Sequence, residues 1–135
     1  MSAIKRDTDL ERIFKNRKVC PWFWINSGVG KGWEPTIEKM ASDVEALVGG
    51  WVQWNQIKEK FGILRVYTSP LIAEEAGKPE SEAPTQEAWD KAYDTISKAE
   101  DASEKICENC GNPGSADTRH SWFLTLCEEC KKDRK

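Results

Sequence analysis

The chain has 135 residues, 39% hydrophobic and 32% charged, with a net charge of −3. This composition is ordinary for a globular protein and excludes a disordered or fibrous chain. No apolar run approaches the roughly 20 residues that span a bilayer, and the N-terminus lacks an apolar signal core. We therefore expect a cytoplasmic protein without membrane contact.

Charge is distributed unevenly along the chain. Residues 74–108 contain eleven acids and four lysines, whereas residues 5–18 and 131–135 each carry a net charge of +3. Short basic ends are usually solvated, although they can contact an anionic surface. An acidic segment beside a weakly basic tail is poor material for a dedicated nucleic-acid-binding protein.

The N-terminal segment predicts a short helix followed by an extended stretch. Thr8 and Glu11 have capping-box spacing, with Thr8 at the N-cap, and predict a helix over residues 9–17. Residues 19–25 form a dense apolar run interrupted by Pro21, so we expect them to lie extended and to pack on the core.

A second helix follows the glycine-rich loop over residues 26–32. Pro35 is suited to the first turn of this helix, and Gly49-Gly50 ends it. Its apolar residues recur at helical spacing and predict one core-facing stripe. The stripe consists of Ile37, Met40, Val44, Leu47 and Val48.

Aromatic and β-branched residues then predict a β-hairpin. We place its strands over residues 51–59 and 63–68, with the turn at Lys60-Phe61-Gly62. Proline and glycine mark residues 70–84 as a surface linker. A long helix over residues 85–106 follows, with an apolar face that includes Trp89, Tyr93 and Ile96.

Four cysteines near the C-terminus form a C-x2-C-x16-C-x2-C pattern. Each C-x-x-C turn can place two thiolates on one ion, and two such turns complete a tetrahedral zinc site. The pattern predicts one structural Zn²⁺ and a zinc ribbon over residues 107–135 that ends in a basic tail. The predicted ligands are Cys107, Cys110, Cys127 and Cys130.

Other interpretations of these residues are a redox dithiol, an iron–sulfur cluster or coincidence. A thioredoxin-type dithiol needs one C-x-x-C inside a βαβ unit, which the sequence does not predict, whereas a cluster could share the four ligands. His120 could replace one thiolate, but we interpret it as a loop residue. With four thiolates the metal has no open position, so we expect a structural role.

Candidate catalytic groups are few. Gly28 to Gly32 hints at a phosphate loop, but the Walker pattern fails at both ends and a flexible loop is the better interpretation. Cys20 is interpreted as a small buried hydrophobe, since the lone histidine, His120, offers it no evident base. We predict that the chain is not an enzyme.

Tryptophan is unusually abundant, with seven residues. Aromatic residues serve both cores and recognition surfaces, and we favour a tryptophan-rich core.

Three segments together resemble a family of small, uncharacterised phage and bacterial proteins. They are Ile57 to Tyr67 (IKEKFGILRVY), Cys107 to Gly114 (CENCGNPG) and Trp122 to Cys127 (WFLTLC). The likeness covers residues 33–130, although the last ligand in that family is often histidine where this chain has Cys130. It implies an α+β fold and a phage or prophage origin, with no known activity.

These observations predict an α+β protein. Short helices pack on a β-hairpin over residues 1–69, and the long helix leads into the zinc ribbon. The leading hypothesis is a non-enzymatic, zinc-stapled binding protein that docks on a host protein in the host cytoplasm, and that inhibits a host defence or nucleic-acid-processing complex.

The alternative hypothesis is a nucleic-acid-binding zinc ribbon. Its candidate phosphate contacts are Arg119, Lys131, Lys132, Arg134 and Lys135, and Trp122 is a further candidate binding residue on the ribbon.

Overall fold

The structure, a computed structural model, describes residues 8–134. Residues 1–7 and Lys135 lie outside that range. They include Lys5 and Arg6 of the basic N-terminal segment and the last residue of the predicted basic tail. The fold is α+β, as predicted, with two separate two-stranded antiparallel sheets in the described residues. Its helices and strands are α1 (Leu10–Phe14), α2 (Phe23–Asn26), α3 (Glu34–Val48), β1 (Val52–Lys60), β2 (Ile63–Pro70), α4 (Ala73–Ala76), α5 (Gln86–Ser103), β3 (Ser115–Asp117), β4 (Leu124–Leu126) and α6 (Glu128–Asp133). Short 3-10 helices cover Lys31–Trp33, Gly49–Trp51 and Glu80–Glu82.

Helix α3 contributes one continuous apolar face to the core. Four residues of the predicted stripe are at most 2% exposed, and Leu47 packs beside them while partly buried. Pro35 lies in the first turn, where its missing N–H would have no partner within the helix, and Gly49 ends the helix at a positive φ of 57°. The predicted second helix and its stripe are confirmed.

Strands β1 and β2 form the predicted hairpin. Val52 lies opposite Pro70 and Lys60 lies opposite Ile63, so each strand differs from its predicted limits by at most two residues. The turn residues Phe61 and Gly62 both have positive φ, 56° and 79°, as a two-residue turn of type I′ requires.

Other parts of the chain cover both edges of this hairpin. On β2, the N–H of Leu64 donates to Ser103 Oγ and the N–H of Val66 donates to Glu100 Oε2, each at 2.9 Å. On the opposite edge, residues 18–20 pair with β1 through two backbone hydrogen bonds. Since these backbone groups are already satisfied, an additional strand cannot pair at these positions.

Helix α5 begins where predicted but ends three residues earlier, at Ser103. Thr85 caps it, because its hydroxyl accepts the Ala88 N–H at 3.1 Å. The prediction that Tyr93 lies on the buried face is wrong, since Tyr93 is 42% exposed and stacks on Trp89. Tyr93 follows Ala92, which is buried, and adjacent helical positions are rotated by about 100°. The buried face consists of Ala92, Ile96, Ala99 and Ser103.

The short helix predicted over residues 9–17 is present as α1, but the predicted Thr8 cap is wrong and the helix is shorter. The N-cap of α1 is Asp9, whose carboxylate accepts the Arg12 N–H at 3.0 Å, and the helix ends at Phe14. The Thr8 hydroxyl instead donates to the carbonyl oxygen of Val29, which ties the start of the chain to the glycine-rich loop.

The apolar run over residues 19–25 is only partly extended. Val19 forms one parallel bridge with Trp54, and the chain then turns into α2. Helix α2 is a single turn, and Phe23 is the residue of this turn whose side chain is fully buried in the core. The neighbouring side chains are exposed: Trp22 by 64%, Trp24 by 47% and Ile25 by 77%.

The seven tryptophans divide between core and surface. Trp33, Trp51 and Trp54 are at most 5% exposed, and Trp89 packs against the core while partly buried. Trp22, Trp24 and Trp122 are exposed. The prediction of a tryptophan-rich core is therefore correct for four of the seven tryptophans and wrong for the other three.

Residues 70–84 run over the surface but contain local structure. They include the end of β2, helix α4 and the turn Glu80–Glu82. Lys18 Nζ donates to the carbonyl oxygens of Glu75 and Ala76 at 3.1 and 2.9 Å, which fastens α4 to the N-terminal segment.

Candidate metal centre

The four predicted cysteine ligands converge on one point. Their Sγ atoms all lie within 4.8 Å of one another, and the Sγ atoms of Cys110 and Cys127 are 3.5 Å apart. In a tetrahedral zinc site with Zn–S bonds near 2.3 Å, the sulfurs are about 3.8 Å apart. None of the five cysteines is in a disulfide. The sulfur positions therefore suit one metal ion held by four thiolates.

The first knuckle, Cys107 to Gly111, is shaped by backbone hydrogen bonds. The N–H of Gly111 donates to the carbonyl oxygen of Cys107 at 2.9 Å, and Gly111 adopts a positive φ of 86°. The N–H of Cys107 donates to Asn112 O at 2.8 Å, and that of Glu108 donates to Thr125 O at 3.0 Å. These bonds hold Cys107, which is fully buried, against strand β4.

The second knuckle begins helix α6. Cys127 is the N-cap, and its Sγ accepts the Cys130 N–H at 3.5 Å. This N–H is the main reason that the pKa of Cys127 is lowered, to about 7. The Cys130 Sγ accepts from Asn109 Nδ2 at 3.2 Å, yet burial raises the pKa of its thiol to about 12.

Burial also raises the pKa of Cys110, so the thiols of this site do not all ionise readily by themselves. A bound cation favours the thiolate form, because thiolates are the species that coordinate metal. The chemistry of the donor set thus fits a divalent, thiolate-preferring ion.

We call residues 107–134 the metal module and residues 8–106 the body. The module has a small core of its own, made of Cys107, Leu124, Leu126 and Cys127, each at most 7% exposed. Strands β3 and β4 carry this core, with Ser115 opposite Leu126 and Asp117 opposite Leu124.

Gly32 is the point at which the first knuckle contacts the body. Its N–H donates to the carbonyl oxygen of Glu108 at 3.0 Å. A Cβ at this position would collide with the carbonyl oxygen of Cys107 and would lie 2.6 Å from the amide nitrogen of Gly111. The prediction of a flexible loop up to Gly32 is therefore wrong, since Gly32 is fixed against the knuckle backbone.

Two further hydrogen bonds position the module: one fixes the residue that precedes it, and the other joins it to the body. Trp33 Nε1 donates to the carbonyl oxygen of Ile106 at 2.9 Å, just before the first ligand. Thr125 Oγ1 donates to the carbonyl oxygen of Gly62 at 2.6 Å, which joins β4 to the hairpin turn. Both are contacts over more than 60 residues of sequence, which local patterns do not predict.

Glu59 connects the hairpin turn with the loop that precedes β4. Its Oε2 accepts the Gly62 N–H at 2.7 Å and its Oε1 accepts from Trp122 Nε1 at 3.2 Å. Glu59 is only 7% exposed, so this carboxylate is directed into the structure. Glu59 occupies an inward-facing position of β1, two residues after the buried Ile57, where an apolar residue is usual.

A buried carboxylate organises the other end of the module. Asp117 accepts from Arg119 Nε at 2.7 Å and Nη2 at 2.9 Å, and from Arg134 Nη1 at 3.2 Å. The bond from Arg119, and to a lesser degree that from Arg134, holds the pKa of Asp117 well below its usual range. Arg134 is 8% exposed and also donates to the carbonyl oxygen of Trp122. These two arginines therefore hold the module together.

The remaining predicted binding residues have different surroundings. Lys131 Nζ donates to Ser115 Oγ at 2.6 Å and to Glu128 Oε2 at 3.1 Å. Lys132 is exposed on α6, and Trp122 is 58% exposed. Among residues 8–134, the predicted phosphate contacts therefore do not form one open cationic surface, because Arg134 is buried and Arg119 and Lys131 are bound to acidic side chains.

His120 and Cys20 lie outside the cysteine cluster. His120 is partly buried in the loop between β3 and β4 and is not among the grouped ligands. Cys20 is also partly buried, and its thiol donates to the carbonyl oxygen of Asn55 at 3.3 Å.

Comparison with known proteins gave no significant match to a protein family, a curated protein or a solved structure. The resemblance to the phage and bacterial family therefore stays a prediction. Among the described residues, no helix combines the length and the apolar character needed to cross a membrane.

Proposed function

We propose that this chain is a non-enzymatic binding protein in which one zinc ion fixes the metal module on the body and so presents a surface to a partner protein. The observation that carries the proposal is the direct contact between the backbone of the metal module and two glycines of the body. Gly32 and Gly62 of the body both contact the backbone of the module, so the metal site and the module's position on the body are parts of one arrangement.

The four-thiolate donor set supports a structural rather than a catalytic metal. Four ligands complete a tetrahedral shell, and catalytic zinc sites keep one position for water or substrate. The buried carboxylates near the site serve the fold, since Glu59 binds the hairpin turn and Asp117 binds two arginines.

The surface supports protein docking more than phosphate binding by the zinc ribbon. Arg119 and Arg134 are bound to Asp117, which leaves less of their charge for a nucleic acid. Several large apolar side chains are exposed instead, which is typical of protein recognition surfaces. They include Phe61, Trp122 and Phe123.

The resemblance noted in the sequence leads us to propose a phage-encoded protein whose partner is a host protein. Inhibition of a host defence or nucleic-acid-processing complex belongs to the same proposal. The acidic segment over residues 74–108 supports it, because such surfaces can mimic nucleic acid.

Affinity purification from bacterial host lysate, followed by mass spectrometry, tests this function. We expect the wild-type chain to contain one equivalent of zinc and to retain a stoichiometric protein at moderate salt. The Cys127→Ser variant should lose both, whereas Cys20→Ser, a cysteine outside the site, should keep both. Recovery of nucleic acid alone, or equal recovery by Cys127→Ser, would contradict the proposal.

A further inference from the structure

A second surface feature lies where the hairpin turn meets the metal module. Lys58, Lys60, Phe61, Trp122 and Phe123 line it, and Arg65 lies opposite Lys58 in the hairpin; we call these six residues the aromatic–basic patch. A shallow groove of about 300 Å³ runs between the hairpin residues and the loop that contains Trp122 and Phe123.

The aromatic residues of the patch are exposed without serving the core. Phe61, Trp122 and Phe123 are 67%, 58% and 39% exposed. Phe61 moreover adopts a φ of 56° at a turn position where asparagine, aspartate or glycine is usual. A bulky residue in this conformation is strained, so neither turn geometry nor packing explains a phenylalanine here.

The basic residues of the patch lack acidic partners. Lys58 lies directly opposite Arg65, and strand alternation places Lys60 on the same face. Among residues 8–134, no carboxylate forms an ion pair with these three cations. Like charges placed directly opposite are destabilising, so a partner that supplies carboxylates would relieve this repulsion.

The one acid among the residues that line the groove is nearly buried and already hydrogen-bonded. Glu59 accepts from the Gly62 N–H and from Trp122 Nε1 and is nearly buried. The groove therefore combines apolar walls with positive charge, which complements an apolar, acidic ligand.

We propose that the aromatic–basic patch binds an extended protein segment that carries carboxylates beside a bulky apolar side chain. This inference rests on the proposed function as a protein-docking module and names its surface and the chemistry of its partner. Strand pairing is blocked at Trp54, Leu64 and Val66, whose outward backbone groups are already hydrogen-bonded. The segment therefore lies across the side chains of the patch.

The charge of the neighbouring helix favours such a segment over a nucleic acid. Helix α5 packs against β2 and carries Glu87, Asp90, Asp94, Glu100 and Asp101. A polyanion that extends beyond the patch would experience this acidic field, since screening acts over about 8–10 Å. A short segment with a few carboxylates contacts only the local cations.

The patch depends on the metal module. Trp122 and Phe123 belong to the module, whereas Phe61 and the cations belong to the hairpin. The groove consequently forms only while the module is seated on the body, which connects partner binding to the metal.

Selection of a displayed random dodecapeptide library against the full, zinc-loaded chain tests the inference. We expect the selected peptides to share acidic residues beside an aromatic or large aliphatic residue. Their affinity should fall about tenfold in Phe61→Asn and in Lys58→Glu, as for loss of an interface hot spot. Neither variant should unfold the chain, because asparagine suits the turn and glutamate pairs with Arg65.

The matched controls are Trp22→Ser and Lys132→Glu, which alter an exposed tryptophan and an exposed lysine outside the patch. Both should bind the selected peptides as the wild type does. Failure to select any peptide that Phe61→Asn weakens overturns the inference. So does binding of oligothymidylate, rather than peptide, that depends on Phe61.

If Trp22→Ser abolishes binding of the selected peptides and Phe61→Asn does not, the peptides bind near Trp22. That result overturns the assignment of the aromatic–basic patch and leaves the proposed docking function in place. The affinity purification with Cys127→Ser addresses that function separately.

Discussion

Asp117 shows how a single buried side chain can hold the end of a small module in place. Its carboxylate, with the side chain 1% exposed, binds one arginine from the following loop and one from the segment after α6. The alternative nucleic-acid-binding hypothesis assigns both arginines to phosphate contacts, because a basic tail is visible in sequence whereas its internal partner is not. An acid at position 117 gave no distinctive local signal, since the pairing with Arg134 depends on tertiary structure.

Replacement of Asp117 by asparagine should lower the free energy of unfolding by about 3 kcal/mol at neutral pH, because it leaves Arg134 buried without its counter-charge. Folding lowers the pKa of Asp117, so its stabilising contribution is complete above the unfolded-state value of about 4 and is lost as pH falls below it. Urea unfolding of the wild type and Asp117→Asn should therefore converge as pH decreases below about 4.

The control for this comparison is Asp133→Asn, an exposed acid at the end of α6, which should change stability little at any pH. A difference between wild type and Asp117→Asn that stays constant down to strongly acidic pH would be inconsistent with the ion-pair interpretation.

At the scale of elements, local sequence patterns predicted the helices and strands but missed the contacts between segments that are distant in sequence. Helix α3, the hairpin and the start of α5 follow from periodicity, turn residues and capping, and each lies within a few residues of its expected limits. The segment from Gly28 to Gly32 is predicted as a flexible loop, because nothing near it in sequence indicates that residues 107–111 pack upon Gly32. The four ligands were predictable, since their spacing alone encodes the site.

The contact between Lys31–Trp33 and the first knuckle gives a test at this scale. Gly32→Ala should destabilise the chain by at least about 2 kcal/mol and weaken zinc binding, because the added methyl group collides with the knuckle backbone. Chemical denaturation and competition with a zinc chelator measure the two effects. Gly50→Ala is the matched control, since its Cβ would meet nothing closer than 3.7 Å. Equal stability and equal zinc affinity of the two variants would refute the close contact between Gly32 and the first knuckle.

For the molecule as a whole, the metal module and the body have separate cores joined by specific contacts. The body core is built from α1, α3, α5 and the hairpin, whereas the module core contains two of the ligands. Structural zinc sites supply on the order of 10 kcal/mol of binding energy that is also folding energy. We therefore expect a module of fewer than 30 residues with so small a core to depend on a bound metal, and the body with its larger core to fold without one.

Amide hydrogen exchange of the zinc-loaded and chelator-treated chain tests this central claim most directly. Removal of zinc should abolish protection across residues 107–134 and at the Gly32 amide, whose acceptor is the Glu108 carbonyl, while the amides of α3 and the hairpin remain protected. The Cys127→Ser variant should show the same pattern without chelator. Unchanged protection of the metal module after zinc removal, or one retained equivalent of zinc in Cys127→Ser, would contradict the account.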